Sequence, residues 1–221
     1  MKKRKSFNPR LLEINARIWL KRFGNNYTLS SIPEEEIDKW KELGIDMLWL
    51  MGVWVNNKEV IDEYCFEPDL ISSYNSALKD WNKEDVIGSP YSIDRYELNP
   101  IFGTRQDLLV FKKKLNAAGI SLILDFVSNH FSAKSSLIWT NKEIFLPADE
   151  FIFKNDPYTF FASPADSKEY LAHGRDPLFP PWKDTAQVNF YSREARDYLT
   201  SVLIDLTELC DGVRCDMAML P

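Results

Sequence analysis

The sequence predicts an α/β fold in which parallel strands alternate with helices in the manner of a (β/α) barrel of the TIM type. Three observations carry this. A helical segment that ends at a glycine, or just before one, feeds directly into a strand three times, at Gly44, Gly119 and Gly212. Two of the strands so entered, Ile45–Val53 (IDMLWLMGV) and Ile120–Val127 (ISLILDFV), are near-continuous apolar runs. Such runs belong to parallel strands covered on both faces. The connections below the strands are short and those above them long, and in such barrels the loops that follow the strands line the functional face.

Taken in order, residues 1–10 are basic and polar and form a lead-in. Leu11 to Leu20 is apolar, ends in Ile18-Trp19-Leu20, and reads as the first strand. Ser30 and Ser31 are candidate N-caps for a helix with Pro33 near its first position and Glu34, Glu35 and Glu36 at the positive end of its dipole. Ile37, Trp40 and Leu43 form its apolar stripe and Gly44 ends it. After the second strand, residues 54–103 are a long, aromatic-rich connection. Thr104 caps a helix through Ala118 whose Leu108, Phe111 and Leu115 share one side, and Gly119 ends it. Residues 128–191 form the next long connection. Ser192 caps a helix through Leu209, and Val213–Met217 is the fourth strand, read as buried, with Cys210 and Cys215 as small apolar fillers. Four strands and three helices fall short of the eight strands and ~250 residues of a closed barrel. The expectation is therefore an incomplete half-barrel with about four strands, the N-terminal part of something longer.

Composition narrows the function. The 221 residues are 45% hydrophobic and 27% charged, with a net charge of -6, which argues against nucleic acid as a partner. The only basic run, Lys2-Lys3-Arg4-Lys5, is followed by no apolar stretch, and no segment is apolar enough to span a membrane, so a cytoplasmic protein is expected. Three cysteines without CxxC spacing and two histidines, His130 and His173, argue against a disulfide framework, a zinc site or a histidine-rich metal site.

Polar chemistry gathers at three strand ends. Gly88-Ser-Pro-Tyr-Ser-Ile-Asp-Arg-Tyr-Glu-Leu-Asn-Pro-Ile-Phe-Gly-Thr104 follows the second strand. Asp125-Phe-Val-Ser-Asn-His130 leaves the third. Asp211-Gly-Val-Arg-Cys-Asp-Met217 contains the fourth. Alternation along a strand puts Arg214 and Asp216 on one face, where a guanidinium favours the ionised carboxylate. By themselves these two read first as a structural ion pair. Asp125 could cap a turn, His130 could be a satisfied loop histidine and Tyr91 could be core. An aspartate on an otherwise apolar strand is costly unless paired or used, and three such places in chain order favour function.

The three stretches resemble the α-amylase superfamily of retaining glycoside hydrolases and transglycosylases (glycoside hydrolase family 13). LDFVSNH resembles its third-strand motif, DGVRCDM its fourth-strand motif, and GSPYSIDRYELNPIFGT the segment leading into its second helix. The match runs from about Leu12 onward. The resemblance implies carbohydrate metabolism on α-glucosidic bonds and a division into residues 1–130 and 191–221 as barrel, with 131–190 as a small protruding domain after the third strand. It implies Asp216 as nucleophile, Arg214 as the group that keeps it ionised, Asp125 and His130 as ligands of the sugar hydroxyls, and Tyr91 as the aromatic platform beneath that sugar. Its partner would be an α-linked glucosaccharide or polysaccharide.

Departures from the family pattern qualify this. The acid glutamate of the fifth strand and an aspartate near the seventh are not among these residues, so the 221 residues alone are expected to be inactive. Met219 and Leu220 stand where many amylases carry lysine and histidine, which weighs against endo-hydrolysis of starch. Asn129 matches a calcium ligand of many members, but Gln187, in Thr185-Ala-Gln-Val-Asn189, replaces an aspartate. No cofactor and no tight calcium site are expected. The alternative is a non-catalytic carbohydrate-binding or partner subunit on the same barrel. An unrelated barrel enzyme such as an aldolase would want a Schiff-base lysine or a phosphate loop, and neither is evident.

Overall fold

The computed structural model describes residues 8–24 and 26–220. The basic run Lys2–Lys5 and most of the lead-in lie outside the described residues. The chain divides into two compact units: Met1–Val55, Glu97–Phe126 and Leu199–Asp216 in the first, and Asn56–Tyr96, Val127–Tyr198 and Met217–Pro221 in the second.

The first unit holds a four-stranded sheet that does not close. Its strands are β1 (Leu11–Asn15), β2 (Met47–Met51), β3 (Ser121–Val127) and β4 (Gly212–Asp216), adjacent in that order. β1 and β2 run parallel with Leu12 opposite Leu48, and β2 and β3 run parallel with Leu48 opposite Leu122. Leu48, Leu50, Leu122 and Leu124 are fully buried. This is the four-strand (β/α) arrangement expected from the repeating helix–glycine–strand pattern.

The helices are α1 (Ala16–Lys21), α2 (Glu34–Glu42), α3 (Arg105–Ala118) and α4 (Arg193–Leu209). α3 follows the sequence closely. Thr104 and Asp107 form a reciprocal capping box, and Gly119 ends the helix in the left-handed region at φ 88°. Leu108, Phe111 and Leu115 are fully buried, each contributing roughly 1.5–3 kcal/mol. Ser192 Oγ accepts from Ala195 N at 3.2 Å, the expected cap of α4. Lys112 of α3 donates to the carbonyls of Glu208 and Cys210 at 2.8 and 2.9 Å, closing the last turn of α4. Asp211 then accepts from Leu122 N at 2.8 Å, which sets β4 in register beside β3.

Four expectations are corrected. The first strand ends at Asn15, not Leu20, because Asn15 Oδ1 accepts from Ile18 N and starts α1. Ala16, Trp19 and Leu20 then share a buried helical face, and the Arg17 guanidinium is held by the carbonyls of Gly52 and Trp54 at 3.3 and 3.4 Å. Ser30 and Ser31 do not cap α2, whose N-cap position is Pro33. They form a 3₁₀ turn with Leu29, and Ser30 Oγ donates to Asp107 Oδ1 instead. Leu43 is 64% exposed, because α2 ends at Glu42 and the chain turns away. Cys215 is exposed while Cys210 is buried: β4 lies at the sheet edge, where its Val213–Cys215 face is open.

The second unit contains the two long connections, and both carry structure of their own. Helices span Lys58–Tyr64 and Pro68–Ala77. Phe160–Ala162, Tyr170–Ala172 and Pro147–Ala148 form a three-stranded antiparallel sheet. His130–Ser132 pairs antiparallel with Thr185–Gln187. Buried Phe131 meets Tyr96, Phe145 and Tyr198 edge-on, with ring centroids 5.9–6.1 Å apart. Asp94 is buried and accepts from Ser136 N at 2.6 Å.

Candidate active site

In the first unit the upper ends of β3 and β4 bring Asp125, Arg214 and Asp216 together. Arg214 and Asp216 share a strand face, and Arg214 Nη1 donates to Asp216 Oδ1 at 2.5 Å. The same nitrogen lies 3.7 Å from Asp125 Oδ1. One guanidinium therefore serves two carboxylates, both nearly inaccessible: Asp125 is 1% exposed and Asp216 6%. The Arg214 guanidinium carbon also lies over the Trp49 ring, 4.9 Å from its centroid.

Asp125 is tied down on each oxygen. Trp49 Nε1 donates to Oδ1 at 3.1 Å, and Gly52 N donates to Oδ2 at 3.3 Å. Its main-chain carbonyl accepts from Trp54 Nε1 at 2.8 Å. Gly52 sits at φ 79°, the left-handed turn by which its N–H reaches the carboxylate. Burial pushes the Asp125 carboxyl up to about 6, against the Gly52 N–H, the Arg214 charge and the Trp49 N–H, with the Asp216 charge adding to the rise. The cluster thus holds two carboxylates of different environment, one directly charge-paired and one desolvated.

In the second unit Asn129 and His130 come together with Gln187. Gln187 Nε2 donates to the main-chain carbonyl and to Oδ1 of Asn129, both at 2.9 Å, and Asn129 Nδ2 faces Gln187 Oε1 at 3.4 Å. Asn129 Nδ2 also lies 3.3 Å from His130 Nδ1. His130 is 3% exposed and meets Trp182 edge-on at 5.1 Å. Tyr91 is half-buried in the turn before the Ile93–Leu98 strand, its N–H on Ser89 Oγ at 3.2 Å and its carbonyl accepting from Ile93 N.

The chemistry around Asn129 does not suit a calcium ion. A hard cation needs oxygen lone pairs turned toward it, and both Asn129 oxygens face the Gln187 amide hydrogens. Among the described residues no group of three or more His, Cys, Asp or Glu side chains could hold a metal.

Two participants escaped the sequence reading. Trp49 lay within an apolar run; its signal was the indole N–H, which demands a partner when buried. Gln187 was noted only as a substitution, not as the amide that locks Asn129.

A family model described as "Alpha amylase, catalytic domain" matches residues 29–199. The chain is 32% identical over 110 residues to alpha-amylase 2 of Dictyoglomus thermophilum, covering 48% of this chain and 16% of that protein. It is 30% identical over 100 residues to an alpha-glucosidase of Apis mellifera, covering 45% of this chain and 13% of that one. Among solved structures, an alpha-amylase from Lactobacillus plantarum superposes with a TM-score of 0.64 at 21% identity, over 96% of this chain and 39% of that one. The chain thus spans a minor part of each relative's length.

Proposed function

We propose, from the premise that the chain belongs to the α-amylase family of glycoside hydrolases, that Asp216 is the nucleophile of a retaining enzyme, hydrolase or transglycosylase, acting on α-glucosidic bonds. The observation that carries this is the 2.5 Å contact of Arg214 Nη1 with Asp216 Oδ1 on a shared strand face. A carboxylate so paired keeps a second oxygen for attack on an anomeric carbon. In the first step a bond forms between Asp216 and that carbon while the bond to the departing oxygen breaks, and that oxygen takes a proton from a general acid. In the second step water or a sugar hydroxyl gives its proton to the conjugate base of that acid, forms the new bond to the anomeric carbon and releases the Asp216 carboxylate.

In this reading Asp125 accepts hydrogen bonds from sugar hydroxyls, while His130 and Tyr91, in the second unit, keep the sugar-binding and aromatic-platform roles that the family resemblance implies. The general acid is not assigned to any of these residues, so the 221 residues by themselves are proposed to turn over no ordinary glycoside. The substrate class is an α-linked glucosaccharide. The three free cysteines favour a reducing, cytoplasmic setting.

The test is chemical rescue. Asp216→Gly in the active enzyme, given an α-glucosyl fluoride and azide, should yield the β-glucosyl azide, since azide replaces the missing carboxylate from the opposite face. Undiminished turnover of an unactivated substrate by Asp216→Gly would refute the assignment.

A further inference from the structure

The second unit contains a cavity of about 700 Å³ that the proposed chemistry does not use. It lies among the helices Lys58–Tyr64 and Pro68–Ala77, the segment that follows them to Ser89, and the stretch around Lys183. Its size falls within the ~300–1,000 Å³ of small-molecule sites.

Four aromatic side chains stand in the wall among aliphatic ones such as Leu70, Leu78 and Ile87, and two of the rings have their polar tips engaged. Tyr74 Oη donates to the Cys65 carbonyl at 3.0 Å. Trp81 Nε1 donates to Asn75 Oδ1 at 2.7 Å. The two rings meet edge to face, with centroids 5.2 Å apart. Rings fixed in this way offer apolar faces rather than hydrogen-bond donors. Tyr64 and Tyr158 extend the aromatic lining.

Acceptors stand beside these faces. Asp85 and Asp184 both line the cavity. Glu67 is paired with Lys183 at 3.4 Å, which draws a residue after the first helix to one 116 positions later. That pairing cancels one charge, and burial pushes the Asp184 carboxyl up toward its neutral form. The lining therefore sets aromatic and aliphatic faces beside carboxylate acceptors, one of them paired with Lys183.

We propose that this cavity is an accessory saccharide-binding site whose occupant is the end of a neutral α-linked glucosaccharide. Pyranose rings present C–H faces that pack on aromatic rings, and hydroxyls that donate to carboxylates, which is the complement of this wall. A quaternary amine would want a ring cage without a competing cation, and Lys183 in the wall works against it. The class of occupant rests on the sugar-processing reading above; the existence of the site does not.

The experiment titrates the full chain with maltotriose, followed by saturation-transfer NMR and tryptophan fluorescence. Wild type and Tyr91→Ala should both show a binding event that weakens at least tenfold in Trp81→Ala. Asp85→Asn, which keeps an oxygen for the Asn82 N–H that its carboxylate now accepts from at 3.1 Å, should weaken the same event and guards against a folding defect in the first variant. Asp216→Asn should keep this event while losing glycosyl labelling, which separates failure of the site from failure of the nucleophile assignment. Unchanged maltotriose affinity in both Trp81→Ala and Asp85→Asn would overturn the proposal. So would saturation transfer to tetramethylammonium that depends on Trp81, with none to maltotriose.

Discussion

Arg214 Nη1 sits 2.5 Å from Asp216 Oδ1 and 3.7 Å from Asp125 Oδ1, so a single guanidinium faces a pair of buried carboxylates at the ends of adjacent strands. Replacing it has two consequences. Arg214→Leu leaves both carboxylates without their cation, so the Asp125 carboxyl should rise beyond about 6 and the active enzyme should lose at least ~100-fold in kcat. Arg214→Lys keeps the charge but not the guanidinium that reaches both carboxylates and the Trp49 ring, and should recover only part of the rate. Steady-state kinetics on an activated glucoside, with KM nearly unchanged, is the check.

Asp125 makes stability depend on pH in a defined direction. Its folded-state value of about 6 lies above the ordinary 3.8, so the folded chain holds the proton more tightly than the unfolded chain. The contribution is fully present below pH 3.8 and is lost as pH rises through about 6. It amounts to on the order of 3 kcal/mol. Denaturant unfolding between pH 4 and 7.5 should show this decline, and Asp125→Asn should remove that part of the slope whatever its absolute stability.

Trp49→Phe keeps the ring and deletes the N–H that donates to Asp125 Oδ1 at 3.1 Å. Loss of a hydrogen bond to a buried carboxyl should cost about 1–3 kcal/mol. The Asp125 midpoint should also move up, because that N–H favours the charged form. Chemical unfolding and a ¹³C carboxyl titration measure the two effects separately.

Gln187 gives a prediction about metal. Its amide donates twice to Asn129, so thermal unfolding should be the same with chelator and with added calcium. Gln187→Asp sets a carboxylate against the Asn129 oxygens and should lose about 1–3 kcal/mol in chelator. Calcium should restore part of that loss, and a wild-type midpoint that drops sharply on chelation would contradict the amide lock.

The parts of the fold that could be read from the chain are those decided by near neighbours. Thr104 and Asp107 make a capping box three residues apart, and Gly119 supplies the one conformation that ends α3. Arg214 and Asp216 share a face through strand alternation alone. What escaped depends on distant partners. α1 was taken as strand because the carbonyls that hold Arg17 lie 35 and 37 residues away. Ser30 is engaged by Asp107, 77 residues on, and so was misassigned as a cap. Trp49 meets Asp125 across 76 residues, and Gln187 meets Asn129 across 58. Cys215 is exposed because strand alternation puts it with Val213 on the open face of β4, which an unclosed four-strand sheet leaves at its edge.

The most direct measurement is covalent trapping with a 5-fluoro-α-glucosyl fluoride, followed by proteolysis and peptide mass spectrometry. Fluoride departs with little help from a proton donor, so the label reports the nucleophile and not the acid. The account predicts a glucosyl ester on Asp216, absent from Asp216→Asn. A stable label on Asp125 or elsewhere, with Asp216 unmodified, would contradict it.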